Sequence, residues 1–207
     1  MFSVPEAAKI VGADRRTVGR WLKGNDTQPV FSGTRANLGK ISFLELAELL
    51  VAVRFVKHGG KLEKVRAAHT NARKRWTDLP YPFASKRLQL GGEIIHESDL
   101  EYGKGMALAI SNDNQWALPD MVYDAMLLFE FNAQDQMASK LFPAGRDAPI
   151  VIDPRVAAGR PTLVDTGITV RAIRERHVRR KEPIGAIARD LGISPKLVEA
   201  AVHYLAA

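Results

Sequence analysis

Ser3-Val4-Pro5-Glu6-Ala7-Ala8-Lys9-Ile10-Val11-Gly12-Ala13-Asp14-Arg15-Arg16-Thr17-Val18-Gly19-Arg20-Trp21-Leu22-Lys23 is the most informative stretch of this chain. Its first four residues have the form of a capping box. The serine hydroxyl accepts the backbone N–H of Glu6, and the glutamate carboxylate accepts the serine N–H. A helix therefore starts here, runs through Ala7, Ala8, Ile10 and Val11, and stops at Gly12, a residue able to take the left-handed conformation that ends helices. Asp14 caps a second helix from Arg15 to about Leu22. Small Ala7 and Ala8 permit close approach, so the pattern is that of a helix-turn-helix.

The outward chemistry of the second helix separates a nucleic-acid reader from a plain helical hairpin. Val18, Trp21 and Leu22 supply its inward side, while Arg15, Arg16, Thr17 and Arg20 precede Lys23 on the other. Arg, Lys and Thr on the leading turns of a recognition helix contact base edges and phosphates. Arg15, Arg16, Thr17, Arg20, Trp21 and Lys23 are accordingly the DNA-binding candidates. Glu6-Ala7-Ala8 and Thr17-Val18-Gly19-Arg20-Trp21 resemble the MerR-type and excisionase-type winged-helix family, in which an EAA-like first helix precedes T-V-x-R-W. The departure is Gly19, where members often carry a basic residue.

That resemblance implies a wing after the recognition helix, and the polar, Gly-containing stretch Asn25 to Lys40 suits it, with Arg35 and Lys40 as phosphate contacts. Ser42-Phe43-Leu44-Glu45 is a second capping box, flanked by Ile41 and Leu46 in staple positions. The helix that follows, through Leu49, Leu50, Val53 and Val56, is apolar around most of its girth and should be buried. Lys57, His58 and Gly59-Gly60 form a stop signal. A further helix, Leu62 to Trp76, turns Leu62, Val65, Ala72 and Trp76 inward and Lys64, Arg66, Arg73 and Lys74 outward. The resemblance covers about residues 1–76.

Charge is unevenly placed along the 207 residues, whose net value is +7. Residues 1–78 hold 15 Lys+Arg against 7 Asp+Glu, a net +8; residues 79–149 hold 5 against 10, a net −5; residues 150–207 hold 10 against 6, a net +4. A basic, acidic, basic order suggests different partners for the ends and the middle. These bounds also define three expected domains: 1–78, 79–149 and 150–207. The absence of cysteine excludes disulfides, thiolate metal sites and a cysteine nucleophile. No His-x-x-x-His spacing occurs, and neither a membrane span nor a signal peptide is evident, so a cytoplasmic protein without cofactor or metal is expected.

In the middle segment, Pro80 and Pro82 break the preceding helix. Arg87-Leu88-Gln89-Leu90 and Glu93-Ile94-Ile95-His96 flank Gly91-Gly92, a hairpin signal. Pro119 opens a short helix, and Phe129, Phe131, Ala138, Leu141 and Phe142 are strand candidates. The expected fold is mainly α with a small central β region.

The C-terminal segment reads Ile150-Val151-Ile152-Asp153-Pro154, Gly159-Arg160-Pro161 and Thr166-Gly167-Ile168-Thr169-Val170. It resembles the antitoxin-associated domain-of-unknown-function family 433, with Asp165 where the pattern has glycine and Gly167 where it has arginine. Downstream, Ile184 to Leu191, a Gly192 turn and Ser194-Pro195 open a second helix-turn-helix-like bundle that buries Leu197, Val198, Ala201, Val202 and Leu205. Its last helix offers Lys196 and Glu199 and little other charge. The basic run lies one helix earlier, at Arg171, Arg174, Arg176, Arg179, Arg180 and Lys181.

Together the two resemblances imply a VapB-type antitoxin. A homodimer would repress its own promoter through the MerR-like winged helix-turn-helix and neutralise a PIN-like ribonuclease toxin. Arg171, Arg174, Arg176, Arg179 and Arg180 are the toxin-binding candidates, able to meet acidic metal-binding carboxylates. The alternative is a stand-alone MerR-type regulator sensing a small ligand. Catalysis is not expected, because Asp153, Asp165 and Asp190 are spread over different elements.

Overall fold

A computed structural model describes residues 1–23, 31, 40–88 and 124–204. The chain is mainly helical with small antiparallel sheets, and it divides into two compact units, Met1–Ala138 and Ser139–Ala207. The acidic segment 79–149 therefore contributes residues to both.

In the first unit, strand β1 (Phe2–Ser3) pairs antiparallel with β2 (Lys40–Ile41), aligning Phe2 with Ile41 and Ser3 with Lys40. Helix α1 (Val4–Val11) starts on the Ser3 capping box, in which the Ser3 N–H donates to Glu6 at 2.8 Å. It ends at Gly12, left-handed at φ 68°. Helix α2 (Arg15–Lys23) opens on Asp14, whose Oδ1 accepts the N–H groups of Arg16 at 2.8 Å and Thr17 at 3.2 Å. The second capping box starts α3 (Phe43–Lys57), with Ser42 N–H to Glu45 at 2.6 Å.

Residues from every side of α3 are buried, among them Phe43, Leu46, Leu49, Leu50, Val51, Val53 and Phe55. An apolar girth of that kind leaves no solvent face, so α3 becomes the central element. It packs against α1, against α4 (Leu62–Arg75) and against the 3-10 turn Pro82–Ala84. Full burial of each such side chain contributes roughly 1.5–3 kcal/mol. The α3–α4 link needs glycine for space: a Cβ on Gly60 would lie 2.0 Å from the Phe55 ring.

Two expectations for the middle segment meet different outcomes. Strand β3 (Phe129–Phe131) and β4 (Ala138–Leu141) fall where alternation placed them. Arg87 and Leu88 are helical rather than extended, because Ser85 Oγ accepts the Arg87 N–H at 3.2 Å and Ser85 O accepts that of Leu88 at 3.1 Å. The Gly91-Gly92 hairpin, the Pro119 helix start and most of the wing lie outside the described residues.

In the second unit, β5 (Ile150–Val151) pairs antiparallel with β6 (Thr162–Leu163). Helix α5 (Val170–Arg174) continues into a π-helical turn, Glu175–Arg179, followed by α6 (Ile184–Leu191) and α7 (Pro195–Tyr204). Ile150, Leu163, Val170, Ile173, Ile187, Ala188, Val198 and Ala201 form the core. Asp165 has φ 58°, which explains why glycine belongs at that position in the resembling family. Aspartate is among the few other residues that adopt left-handed backbone readily. Ala158, also left-handed at φ 56°, has no such tolerance.

Two substitutions test this geometry in urea denaturation of the full chain. Gly60→Ala should lower stability by about 1–3 kcal/mol through overpacking against Phe55. Ala158→Gly should raise it by about 1 kcal/mol by relieving left-handed strain. Unchanged midpoints for either variant would contradict the backbone described at that site.

Candidate functional site

Arg16, Arg20 and Lys23 recur at helical spacing on α2, and all three are exposed together with Arg15. Thr17 is half-buried. Val18, Trp21 and Leu22 are buried behind them. Trp21, only 5 % exposed, anchors the helix and has no surface to offer, which removes it from the contact set on steric grounds. Lys40 is exposed at the start of β2, while Arg35 lies outside the described residues.

The charge pattern of α2 runs against the helix's own electrostatics. Its first turn holds Arg15 and Arg16 and no acidic residue. Cations at a helix N-terminus oppose the macrodipole by roughly 0.3–1 kcal/mol each. None of Arg15, Arg16, Arg20 and Lys23 makes a side-chain ion pair among the described residues. An anion placed there would relieve both features.

The second unit repeats the helical pair with a constant offset of 180 positions. Gly192 has φ 64° and makes the same bonds as Gly12: its N–H donates to the carbonyls of Ala188 and Arg189, as that of Gly12 donates to those of Ala8 and Lys9. The next N–H groups follow suit, Ile193 to Ala188 at 3.0 Å and Ala13 to Ala8 at 2.8 Å. Ser194 Oγ accepts the Leu197 N–H at 3.4 Å, in the place where Asp14 accepts that of Thr17. Val198 and Ala201 are buried like Val18 and Trp21. The exposed cations are repeated at one position only, Lys196 for Arg16. Pro195, Lys196, Ala200 and His203 stand where α2 has Arg15, Arg16, Arg20 and Lys23.

Of the basic run in the second unit, Arg171, Arg179 and Arg180 are exposed and Arg174 is half-buried. Arg176 is committed internally. Its Nη2 lies 2.6 Å from Glu182 Oε2 and its Nη1 2.5 Å from Asp190 Oδ2, tying the π-helical turn to α6. Arg179 faces Glu175 at 3.3 Å. His177 Nδ1 lies 3.0 Å from the Glu182 carbonyl oxygen.

Two buried carboxylates escape a reading by local periodicity. Glu48, on α3, accepts from His69 Nε2 at 2.9 Å and from the Phe83 N–H at 3.3 Å. His69 packs edge-on against the rings of Phe31 and Phe83. Burial drives the Glu48 carboxyl above its ordinary pKa, more than the His69 contact lowers it. The only local hint is an acidic residue within the apolar girth of α3. Asp153 is the converse case: its oxygens accept Arg155 Nε at 3.0 Å, Nη2 at 2.8 Å and the backbone N–H at 2.9 Å. Those bonds from Arg155 hold its pKa below the ordinary aspartate value. The carboxylate thereby shapes the turn after β5, without an open coordination face. Among the described residues, no group of three or more His, Asp and Glu side chains could hold a metal ion. No helix among them is long and apolar enough to cross a membrane.

The family described as Protein of unknown function (DUF433) matches residues 150–205. Over its whole length the chain is 23 % identical to a Mycobacterium tuberculosis (strain ATCC 25618 / H37Rv) protein named "Putative antitoxin VapB45", 94 % of which is covered. The crystal structure of Rv2018 from Mycobacterium tuberculosis shares the fold, with a TM-score of 0.73 and 23 % identity over 97 % of this chain and 96 % of that one.

The Glu48 arrangement predicts a pH dependence of stability. Because the folded carboxyl binds its proton more tightly than the unfolded one, stability is greatest below the unfolded value and falls as pH rises toward the folded value. Glu48→Gln keeps an acceptor for His69 and Phe83 and removes the buried charge. Urea denaturation over a pH series rising from the ordinary glutamate range should show a flatter profile for this variant. A profile identical to that of the wild type would show that Glu48 does not titrate with folding.

Proposed function

We propose that this chain is the antitoxin of a type II toxin–antitoxin system, acting in the cytoplasm as a homodimer and without catalysis of its own. It binds its promoter as autorepressor through a MerR-like winged helix-turn-helix in the first unit. The second unit neutralises a PIN-like ribonuclease toxin. The observation that carries the reading is the whole-length similarity to the mycobacterial protein whose name is that of a VapB antitoxin. The match of residues 150–205 supports the same class.

Independent support for DNA contact comes from α2. Two of its exposed arginines, Arg15 and Arg16, sit at the positive end of the helix, and the repeat of this helical pair in the second unit has no arginine at the positions of Arg15, Arg16 and Arg20. A stable helical pair of this kind therefore does not require a cation at the positions of Arg15 and Arg20. Backbone phosphates supply the anion that they lack, and Arg16 and Arg20 stand one turn apart, as a groove-reading face needs. Gly19 lies on the same helix, and the position leaves room for a side chain, since a Cβ there would meet only Val4 at 3.9 Å.

Gel-shift titration on the chain's own promoter tests the DNA half. Six to ten phosphate contacts per dimer give a slope of log affinity against log salt of roughly −5 to −9. Arg16→Ala and Arg20→Ala should each weaken operator binding by about 1–3 kcal/mol, with lost discrimination where bases are read. Wild-type affinity in both variants would exclude α2 as the reader. Co-expression with the product of the neighbouring gene, which this reading requires to be a PIN-like ribonuclease, tests the other half: growth should be rescued by the chain, and no rescue would refute the antitoxin reading.

A further inference from the structure

Unusual backbone and a mixed surface coincide at one place in the second unit. The π-helical turn Glu175–Arg179 closes with the Arg180 N–H on Glu175 O at 3.2 Å, and Lys181 follows at φ 59°. π turns and left-handed residues other than glycine concentrate at functional sites. Arg176, half-buried, holds this geometry through Glu182 and Asp190. On the outside lies Val178, 42 % exposed and one of three large hydrophobic residues so exposed among the described residues. Arg171, Arg180 and Lys181 are exposed near it in the chain, and their side chains make no ion pair among the described residues.

We propose that Val178, with Arg171, Arg180 and Lys181, forms the docking surface for an acidic protein partner, and that Arg176 is its internal clamp rather than a contact. The inference rests on the antitoxin reading and deepens it: Val178 and Lys181 enter the contact set, while Arg174, Arg176 and Arg179 leave it. Charge complementarity selects the occupant: uncommitted cations on the same segment as an exposed apolar side chain fit an acidic rim around a shallow apolar recess. Nucleic acid fits less well, because Glu175, Glu182 and Asp190 lie within the same segment and weaken its field toward a phosphate backbone. An exposed valine adds nothing to phosphate binding, whereas an apolar anchor within a polar rim is how protein interfaces concentrate their affinity.

The test uses the full-length chain with two probes, the purified product of the neighbouring gene, which the antitoxin reading requires to be a ribonuclease, and a duplex of its own promoter. Val178→Asp should weaken ribonuclease binding by about 30-fold or more, the size of a hot-spot loss. Its thermal midpoint and promoter binding should stay unchanged. The triple variant Arg171→Glu, Arg180→Glu, Lys181→Glu should slow association with the ribonuclease, since these charges steer encounter. Lys196→Glu, on α7, should bind the ribonuclease like the wild type. Arg176→Ala should lower the thermal midpoint, as a clamp does and a contact residue does not. Ribonuclease binding within about two-fold of wild type for Val178→Asp would overturn the surface and leave the antitoxin reading standing. A triple variant that loses promoter binding while keeping the ribonuclease would assign the face to nucleic acid and overturn the proposal. A wild-type chain that does not bind the ribonuclease would remove both.

Discussion

A left-handed glycine at the end of one helix governs what each unit can present. At Gly12 and again at Gly192 the chain reverses its twist for a single residue, and the glycine's own N–H and the next one donate back to the last turn. Only a residue without a Cβ takes this conformation without strain. The reversal brings the next cap, Asp14 or Ser194, to the start of the second helix after two residues. With the turn fixed at both ends, the second helix has one rotational setting, in which Val18 or Val198 is inward. The identity of the outward residues is then free to vary, and it does.

Burial of polar groups is the second constraint, and the two units meet it differently. An α3 helix that is apolar on every side leaves no solvent route for Glu48, so its oxygen is satisfied by His69 and the Phe83 N–H. One acceptor thereby joins α3, α4 and the Pro82–Ala84 turn. An uncompensated carboxyl in that position would forfeit its full hydration, which exceeds what a typical hydrogen bond returns. Asp153 instead keeps its charge by drawing an exposed arginine over itself. Its pairing is local, two residues along the chain, and sets a turn rather than joining elements.

How much of this is legible in the sequence follows from the range of the interactions. Both capping boxes, the Asp14 cap, the Gly12 and Gly192 stops and the apolar girth of α3 are local patterns spanning a few residues, and the structure shows each of them. The Glu48–His69 contact spans 21 positions, and Glu48 to Phe83 spans 35. Arg176 to Asp190 spans 14. No periodicity announces such pairs, so a run of arginines reads as one uniform surface when one of its members is committed inside. Trp21 illustrates the same limit on a single helix: adjacent to Arg20 in sequence, it lies in the core because a helix turns by about a quarter of a circle per residue. Arg87 and Leu88 depart for a different reason. Alternation favours a strand, but Ser85 captures their N–H groups first, and a local hydroxyl competes well with a distant ladder.

The two basic surfaces differ in how their charge is held, and this distinguishes their partners more sharply than net charge does. On α2 the arginines are bare, Arg15 and Arg16 stand at the wrong end of the helix dipole, and only Arg16 has a cationic counterpart, Lys196, in the repeated pair. Such an arrangement disfavours the isolated protein slightly, and local conflict of this kind is expected where a partner resolves it. In the second unit the cations are interleaved with carboxylates, and the segment is braced by Arg176 through two elements. Charge embedded in a fixed, partly neutralised frame gives up long-range attraction and gains defined geometry. A polyanion of uniform charge rewards the first arrangement, because each bare cation displaces a counterion. A folded protein surface rewards the second, because desolvated groups there must find partners in register.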